Sequence, residues 1–258
     1  MTYDHPMSPA ATLNAVIFDV DGTLVDSERD GHRVAFNRAF EEFGLPYRWD
    51  PDLYGELLHI TGGGNRIDAF LEAQGMPPER RAGLVPRLQA RKTEIFREFA
   101  SGGAVPARPG VHRLLDELRG AGVRVAVATT GTRAWVIPLL DTLFGMNRFE
   151  LVITAEEAPT LKPDPSAYQL AREHLRVDGD TVVAVEDSRN GLVAAGAAGL
   201  RCAVVVNNYT HNQQLDSAAV VLDGFGEPAE PAKVLADPHR LRPEGMLDVA
   251  LLRRIAAL

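Results

Sequence analysis

Short apolar segments alternate with amphipathic helical segments along most of the chain, and this alternation limits the fold more than any other feature. Strands that alternate with helices of this length predict an α/β fold, a three-layer parallel sheet with helices on both faces. The predicted strands lie at 15–18, 124–128, 151–153, 181–185, 202–206 and, as a last edge strand, 220–221. The predicted helices of this part lie at 111–119, 133–143, 165–175, 190–198 and, in a tail expected to pack on the core, 247–255.

The segment from residue 27 to about residue 100 breaks this alternation, because it contains helical patterns and no convincing strand. Ser27 is expected to cap a first helix, and Asp50-Pro51 is expected to begin a second. Two more helices are expected after the glycines at 62–64 and the prolines at 77–78. The predicted domains are a helical insert at 27–104 and a discontinuous core at 1–26 and 105–258, with a hinge at 101–103.

The composition of the chain limits the classes of partner it can bind and indicates its cellular compartment. The net charge of -8 argues against a nucleic acid or an anionic membrane held by a general positive field. One cysteine, Cys202, excludes an internal disulfide and a cysteine zinc site. We recognise neither a signal peptide at 1–12 nor a membrane-length apolar stretch, and therefore expect a cytoplasmic protein. The oligomeric state is left open, with a monomer favoured.

Lysine is rare in this chain. Of its 27 basic residues three are lysines, at positions 92, 162 and 233. Lys92 and Lys233 are attributed to a general preference for arginine codons. Lys162 is the lysine that we connect with function, because of its place relative to the predicted strands.

Polar side chains follow several of the predicted strands. These positions are Asp19 and Asp21, Thr129, Lys162, and Glu186 with Asp187. The carboxyl ends of parallel strands meet at one edge of the sheet, so we expect these groups to converge there. Carboxylates with one ammonium suit a metal-bound phosphate, and Mg²⁺ prefers oxygen ligands. A carboxylate can also act as a nucleophile towards phosphorus when cations offset the repulsion between anions.

These segments resemble the motifs of the haloacid dehalogenase-like (HAD) superfamily. The matching residues are, in chain order, Asp19-Val20-Asp21-Gly22-Thr23, Thr129, Lys162-Pro163, and Glu186-Asp187-Ser188 with Asn190-Gly191. The order and spacing fit over nearly the whole chain, and the helical insert resembles the superfamily's cap. The resemblance implies a Rossmann-like core with an inserted cap domain, and phosphatase activity towards a small phosphorylated metabolite with Mg²⁺ as cofactor.

The resemblance also implies a role for each motif residue. Asp19 is expected to be the nucleophile and a Mg²⁺ ligand. Asp21 is expected to be the general acid and base, and to bind Mg²⁺ through its backbone carbonyl. The remaining expectations are that Thr129 and a following backbone N–H hold the phosphate, that Lys162 orients Asp19 and the phosphate, and that Asp187 completes the metal site with Glu186 as a ligand or as its neighbour.

Within the superfamily the insert resembles the CbbY-like branch, to which phosphoglycolate phosphatases and β-phosphoglucomutases are related. The similarity lies at 31–37, 54–58 and 61–63. The branch implies a ketose bisphosphate as substrate, xylulose 1,5-bisphosphate in particular. Its cap loop usually reads Gly-Gly-Lys-Glu-Arg, whereas this chain reads Gly62-Gly63-Gly64-Asn65-Arg66. The change removes a cation and an anion from the expected substrate loop, and the distal phosphate of a bisphosphate would lose a partner.

Five residues are candidates for contact with the substrate: Glu28, His32, Asn65, Arg66 and Thr130. Several have a second interpretation. Glu28 and His32 could instead lie at the surface or at a hinge, and Arg66 could be solvated. Thr129 could cap a helix as well as contact a phosphate.

Other functions remain open at this point. A phosphomutase of the β-phosphoglucomutase type would use the same nucleophile and cap. A phospho-accepting receiver domain combines similar residues but lacks a helical insert after its first strand. A degenerate binding module is disfavoured, because every motif position holds a competent residue. A dehalogenase is disfavoured because its chemistry needs no acid at position 21 and no magnesium. A phosphonate hydrolase is disfavoured because it needs a cap lysine, and Lys92 lies far from the first strand in the sequence.

Overall fold

A seven-stranded sheet forms the centre of the computed structural model, which describes residues 12–102 and 105–258. Its strands are β1 (Ala15–Phe18), β2 (Arg124–Ala128), β3 (Leu151–Ile153), β4 (Val182–Glu186), β5 (Arg201–Val205), β6 (Val220–Leu222) and β7 (Val234–Ala236). The spatial order is β3-β2-β1-β4-β5-β6-β7. β1 pairs in parallel with β2 on one side and β4 on the other, so it lies at the point where the strand order reverses. Ligand sites of open α/β sheets lie at this point.

The helices are α1 (Arg33–Glu42), α2 (Pro51–Leu57), α3 (Gly63–Ala73), α4 (Pro78–Ser101), α5 (Val111–Gly120), α6 (Arg133–Phe144), α7 (Ser166–Leu175), α8 (Arg189–Ala197) and α9 (Val249–Ala256). Helices α7 and α8 contact β2 to β5 on one face of the sheet, and α5 and α9 contact β2, β4 and β5. The α/β fold class is confirmed, and so is the packing of the tail helix, whose Leu251, Leu252 and Ile255 are buried. Within the described residues, no helix is both long enough and apolar enough to cross a bilayer.

The sheet ends differently from the prediction. Val220-Val221 was expected at the edge, but β7 pairs antiparallel with β6 and lies outside it. All three residues of β7 are exposed, with Leu235 51% accessible. A three-residue exposed strand has no apolar alternation that could identify it in a sequence.

Helices α1 to α4 are inserted between β1 and β2. Asp50 caps α2 as expected, because its carboxylate accepts the backbone N–H of Leu53 at 2.8 Å. The expectation for Ser27 was wrong: its side chain caps no helix, and a π-helical turn (Glu28–His32) precedes α1. The Ser27 hydroxyl instead donates to the carboxylate of Asp21.

The chain leaves the sheet and returns to it at neighbouring points. Val25, just before the insert, forms a backbone bridge with Ala107, just after it. The predicted hinge at 101–103 lies partly outside the described residues, since residue 103 is not among them.

Candidate functional site

The carboxyl ends of β1, β2 and β4 bring the motif residues to one edge of the sheet. Asp19 follows β1, and its backbone N–H donates to Val185 of β4 at 3.0 Å. Thr129 follows β2, and its N–H donates to Ile153 of β3 at 3.0 Å. Asp187 directly follows β4, and its backbone N–H donates to the Glu186 side chain at 3.3 Å. The ends of the paired strands therefore fix the positions of these polar residues.

Three buried carboxylates form a cluster at this edge. Asp19, Glu186 and Asp187 each offer an oxygen, and these oxygens lie within 4.8 Å of one another. The Lys162 ammonium donates to Asp19 Oδ1 at 2.7 Å and to Glu186 Oε1 at 2.6 Å. One ammonium among three buried carboxylates leaves the cluster with excess negative charge.

Burial and the neighbouring charges shift the pKa values of the cluster residues. Burial raises the pKa of Asp19 well above its usual range, although Lys162 acts in the opposite direction. Burial, together with the charges of Glu186 and Asp19, also raises the pKa of Asp187. Burial alone would lower the pKa of Lys162, but Asp19 and Glu186 outweigh it and raise that pKa. A cluster of oxygen donors that lacks positive charge fits a hard divalent cation such as Mg²⁺.

Glu186 differs from its two neighbours because it is saturated with hydrogen bonds. Its Oε1 accepts from Lys162 and from the Tyr168 hydroxyl, the latter at 2.6 Å. Its Oε2 accepts the backbone N–H of Asp187 at 3.3 Å. The carboxyl group also packs directly against Gly191, which has no side chain to displace it. Glu186 is therefore held in place to fix Lys162.

The Asp21 carboxylate stands apart from the cluster. It accepts from Ser27 and from His32, whose Nε2 lies 2.7 Å from Asp21 Oδ1. Burial raises the pKa of Asp21, but the interaction with His32, the hydrogen bond from Ser27 and the nearby Lys92 ammonium outweigh it and the pKa is lowered. The pKa values of the two motif aspartates are thus moved in opposite directions, because burial dominates at Asp19 whereas His32, Ser27 and Lys92 outweigh it at Asp21.

Lys92 completes this second group, and its attribution to arginine preference alone was wrong. Its Nζ lies 2.7 Å from His32 Nδ1, and it sits over the rings of Phe36 and Phe96 at 4.6 and 5.2 Å. An ammonium can only donate, so Nδ1 accepts and Nε2–H donates to Asp21. Burial lowers the Lys92 pKa to about 8. The rarity of lysine in this chain was the signal that could have identified it.

Two adjoining cavities open beside these groups. The first cavity, of about 280 Å³, is lined by Asp19, Lys162 and Asp187. The second cavity, of about 260 Å³, is lined by His32, Gln89 and Lys92. Both cavities are lined in common by Asp21, Glu28, Gly62, Arg66 and Thr130. The insert therefore supplies one wall of a continuous cleft, and the strand ends supply the other.

Thr129 and Thr130 occupy different places. Thr129 is buried, and its Oγ1 accepts the backbone N–H of Gly131 at 3.1 Å. The residue that precedes α6 is Thr132, so Thr129 does not cap that helix. Thr130 lines both cavities.

Arg66 is buried rather than solvated. Its Nε and Nη2 donate to the carbonyls of Leu57 and Ile60 at 3.1 and 3.2 Å, and its Nη1 donates to the Tyr54 hydroxyl at 3.3 Å. Tyr54 donates in turn to the carboxylate of Glu28. This chain of contacts fixes the insert wall of the cleft. Asn65 is exposed and donates to the carbonyl of Thr61 at 3.0 Å.

Two side chains near the cluster carry no motif in the sequence. Asn207, after β5, donates to Asp187 Oδ2 at 2.7 Å. Arg108 is buried and donates to the carbonyls of Val205 and Val206 at 2.9 and 2.7 Å, and also to Gly22. Both residues stabilise the loops that carry the motif aspartates. Their roles cannot be recognised in the sequence, because they depend on contacts between separate loops.

Comparison with known proteins agrees with this arrangement. The family model for haloacid dehalogenase-like hydrolases matches residues 13–199. A CBBY-like protein of Arabidopsis thaliana is 41% identical over 84% of this chain and 70% of its own length. The crystal structure of CbbY from Rhodobacter sphaeroides in complex with phosphate is 38% identical, covers 84% of this chain and 96% of its own, and has a TM-score of 0.77. A variant of that protein was crystallised with xylulose-(1,5)bisphosphate, at 37% identity, the same coverage and a TM-score of 0.77.

Proposed function

The chain belongs to the haloacid dehalogenase-like hydrolase family, and from that premise we propose that it is a magnesium-dependent phosphatase of small sugar phosphates that acts through an aspartyl-phosphate. The observation that carries the proposal is the contact of 2.7 Å between Lys162 Nζ and Asp19 Oδ1, at the wall of the first cavity. It holds a carboxylate and a cation where a phosphoryl group can meet both.

In the first step, an oxygen of Asp19 attacks phosphorus and the bond from phosphorus to the sugar oxygen breaks. Asp21, in its protonated form, donates a proton to that departing oxygen, so the sugar leaves as an alcohol and Asp21 becomes a carboxylate. Lys162 offsets the charge of the phosphoryl group, and Thr129 and Thr130 hold it with the backbone that follows β2. His32 orients Asp21 through the contact of 2.7 Å.

In the second step, water attacks the phosphorus of the aspartyl-phosphate and the bond to Asp19 breaks. Asp21, now a carboxylate, accepts the proton of that water. The products are inorganic phosphate and the original Asp19 carboxylate. The same two residues therefore serve both halves of the reaction.

Asp19, Asp187 and the backbone carbonyl of Asp21 would hold Mg²⁺, and Glu186 would act beside them. The cation would offset the repulsion between the carboxylate and the phosphate. The burial of these carboxylates, which raises the pKa values of Asp19 and Asp187, and the single ammonium that the described residues place among them support this assignment.

The helical insert, 27–104, would act as a cap that closes over the core, 1–26 and 105–258, and excludes bulk water. Support comes from Asn190 of α8, whose Nδ2 donates to Thr61 of the insert at 2.8 Å. Small-angle scattering with and without a phosphate transition-state mimic tests this closure. Identical scattering in an open form under both conditions would argue against it.

Phosphate release from a panel of sugar mono- and bisphosphates, with Mg²⁺ and with chelator, tests the proposed function. Ketose bisphosphates such as xylulose 1,5-bisphosphate belong in the panel because of the CbbY relative. Hydrolysis that requires Mg²⁺ supports the proposal. Turnover that depends on a bisphosphate activator and yields an isomeric sugar phosphate would instead identify a phosphomutase.

Asp187→Asn is expected to remove the stabilisation by Mg²⁺ while raising the melting temperature in chelator at pH 8. A group whose pKa is raised on folding contributes stability below its unfolded pKa, and this contribution is lost as pH rises through the folded pKa. Asparagine does not ionise, so the melting temperature of the variant in chelator should decline less from pH 5 to pH 8 than that of the unmodified chain. Thermal unfolding over this pH range, with millimolar Mg²⁺ or with chelator, measures both effects. An unchanged Mg²⁺ titration would remove Asp187 from the metal site.

A further inference from the structure

We propose that the second cavity receives an uncharged, hydroxyl-bearing end of the substrate, and that Gln89 selects it by accepting a hydrogen bond from a hydroxyl group. The inference rests on the proposed function, in which the reacting phosphoryl group lies in the first cavity beside Asp19 and Lys162. It narrows the substrate class from sugar phosphates in general to those with a single phosphate.

The orientation of the Gln89 amide follows from its neighbour on α4. Thr93 Oγ1 donates its one proton to the backbone carbonyl of Gln89 at 2.9 Å. The same oxygen must then accept from the Gln89 side chain, whose Nε2 lies 3.3 Å away. Nε2 therefore faces Thr93, and Oε1 is the atom left free to accept from elsewhere.

Gln89 Oε1 is buried and has no hydrogen-bond partner among residues 12–102 and 105–258. Gln89 lines the second cavity, against the loop that begins α3. A Cβ at Gly63 would lie 2.5 Å from Oε1, so the amide reaches this place only because position 63 is glycine. The hydroxyl of Thr132, on the lining of the same cavity, is also buried without a partner in the described part of the chain. Buried polar groups are normally satisfied, and hydroxyl groups of a ligand in this cavity would satisfy each of them.

The charges around the second cavity do not favour another phosphate. Asp21 and Glu28 are carboxylates on its lining. The guanidinium of Arg66 already donates from each of its three nitrogens, and Lys92 is engaged by His32 and two aromatic rings. These two, with His32, are the basic side chains on the described lining. A phosphate bound there would meet an acceptor at Gln89 where it needs a charged donor.

Position 64 supports the same conclusion. A Cβ at Gly64 would meet only Cγ of Gln89, at 4.0 Å, so the space beside it is open. Position 64, in the first turn of α3, thus has room for a basic side chain and carries none. Glycine here leaves volume for the sugar instead of a cation for a distal phosphate.

The experiment compares kcat/KM for xylulose 5-phosphate and ribulose 5-phosphate with kcat/KM for the corresponding 1,5-bisphosphates. We expect the monophosphates to be preferred by about tenfold or more, which is the scale of one good hydrogen bond between a site and its substrate. A preference for the bisphosphates would overturn the inference and leave the phosphatase proposal standing. Absence of hydrolysis of every substrate, with Mg²⁺ present, would overturn the phosphatase proposal and the inference with it.

Two variants locate the effect. Gln89→Met keeps the length and removes the acceptor, so the ratio of kcat/KM for xylulose 5-phosphate to that for ethyl phosphate should fall about tenfold, through KM. Gln169→Met, at an exposed position of α7, is the matched control and should leave the ratio unchanged. An unchanged ratio in a folded Gln89→Met protein would exclude Gln89 from selection.

Gly64→Lys places a cation in the open space and should raise kcat/KM for a 1,5-bisphosphate relative to its monophosphate by about tenfold. This variant does not depend on tolerance of change at Gln89. A ratio that does not move, with a normal melting temperature, would show that the distal end of the substrate lies elsewhere.

Discussion

Asp19→Asn is expected to reduce phosphate release by about 10⁴-fold or more, because a carboxamide cannot replace the carboxylate as nucleophile. The fold should persist, since the side chain keeps its shape and Lys162 retains Glu186 and Tyr168 as partners. Steady-state phosphate release and circular dichroism measure the two effects. Asp216→Asn, at an exposed site, is the control and should retain full activity. Activity of Asp19→Asn above about 1% of the unmodified chain would assign the nucleophile to another residue.

The same substitution has an expected effect on stability. Burial raises the pKa of Asp19, so at neutral pH the metal-free protein holds an unfavourable charge there. Stability associated with this group is present below its unfolded pKa and is lost as pH rises through its folded pKa. Asp19→Asn should therefore melt at a temperature equal to or above that of the unmodified chain in chelator at pH 8. A clearly lower melting temperature would mean that the ion pair with Lys162 outweighs the burial of the charge.

Gly191→Ala is the second substitution for which we expect a large loss, and it acts through packing rather than by removal of a reacting group. A Cβ at this position of α8 would overlap with the carboxyl group of Glu186. That group cannot move freely, because Lys162 and Tyr168 both donate to it. Overpacking of a tight site costs about 1–3 kcal/mol. We expect a loss of this size in the free energy of unfolding, and a fall in kcat of about 100-fold because Lys162 is displaced from Asp19.

Gly196→Ala provides the matched control on the same helix. Nothing lies within 4 Å of a Cβ at this position, which is exposed. Alanine favours a helix over glycine by about 0.5–1 kcal/mol, so this variant should gain stability and keep its activity. Chemical denaturation and phosphate release on both variants separate the contact with Glu186 from the general effect of a methyl group. Equal behaviour of the two alanine variants would contradict the role given to Gly191.

The motif residues and most strands could be predicted because their signals are local. The prediction of β1 at 15–18 has the correct bounds, since a short apolar run ends in Asp19. Parallel strands then impose convergence of their ends, whatever the details of packing. The predicted edge at 220–221 failed for the complementary reason: β7 is exposed, short and without pattern.

The partners of the motif residues were beyond prediction because they come from distant parts of the chain. Lys92 reaches His32 across 60 positions, and Asn207 reaches Asp187 across 20. These contacts depend on how the insert folds and on how loops meet, which no local period encodes. The unpaired acceptor of Gln89 depends further on the orientation of one amide.

The bridge between Val25 and Ala107 has a consequence for how such chains diversify. The two ends of the insert lie next to each other at the sheet. The insert is therefore connected to the core as a closed loop would be. Each doubling of the length of a flexible loop adds only about 0.6 kcal/mol to the free-energy cost of closing that loop. Inserts of very different size and shape can therefore be exchanged at this junction at little thermodynamic penalty. New substrate ranges can arise by replacement of a whole module while the reactive edge of the sheet is inherited intact.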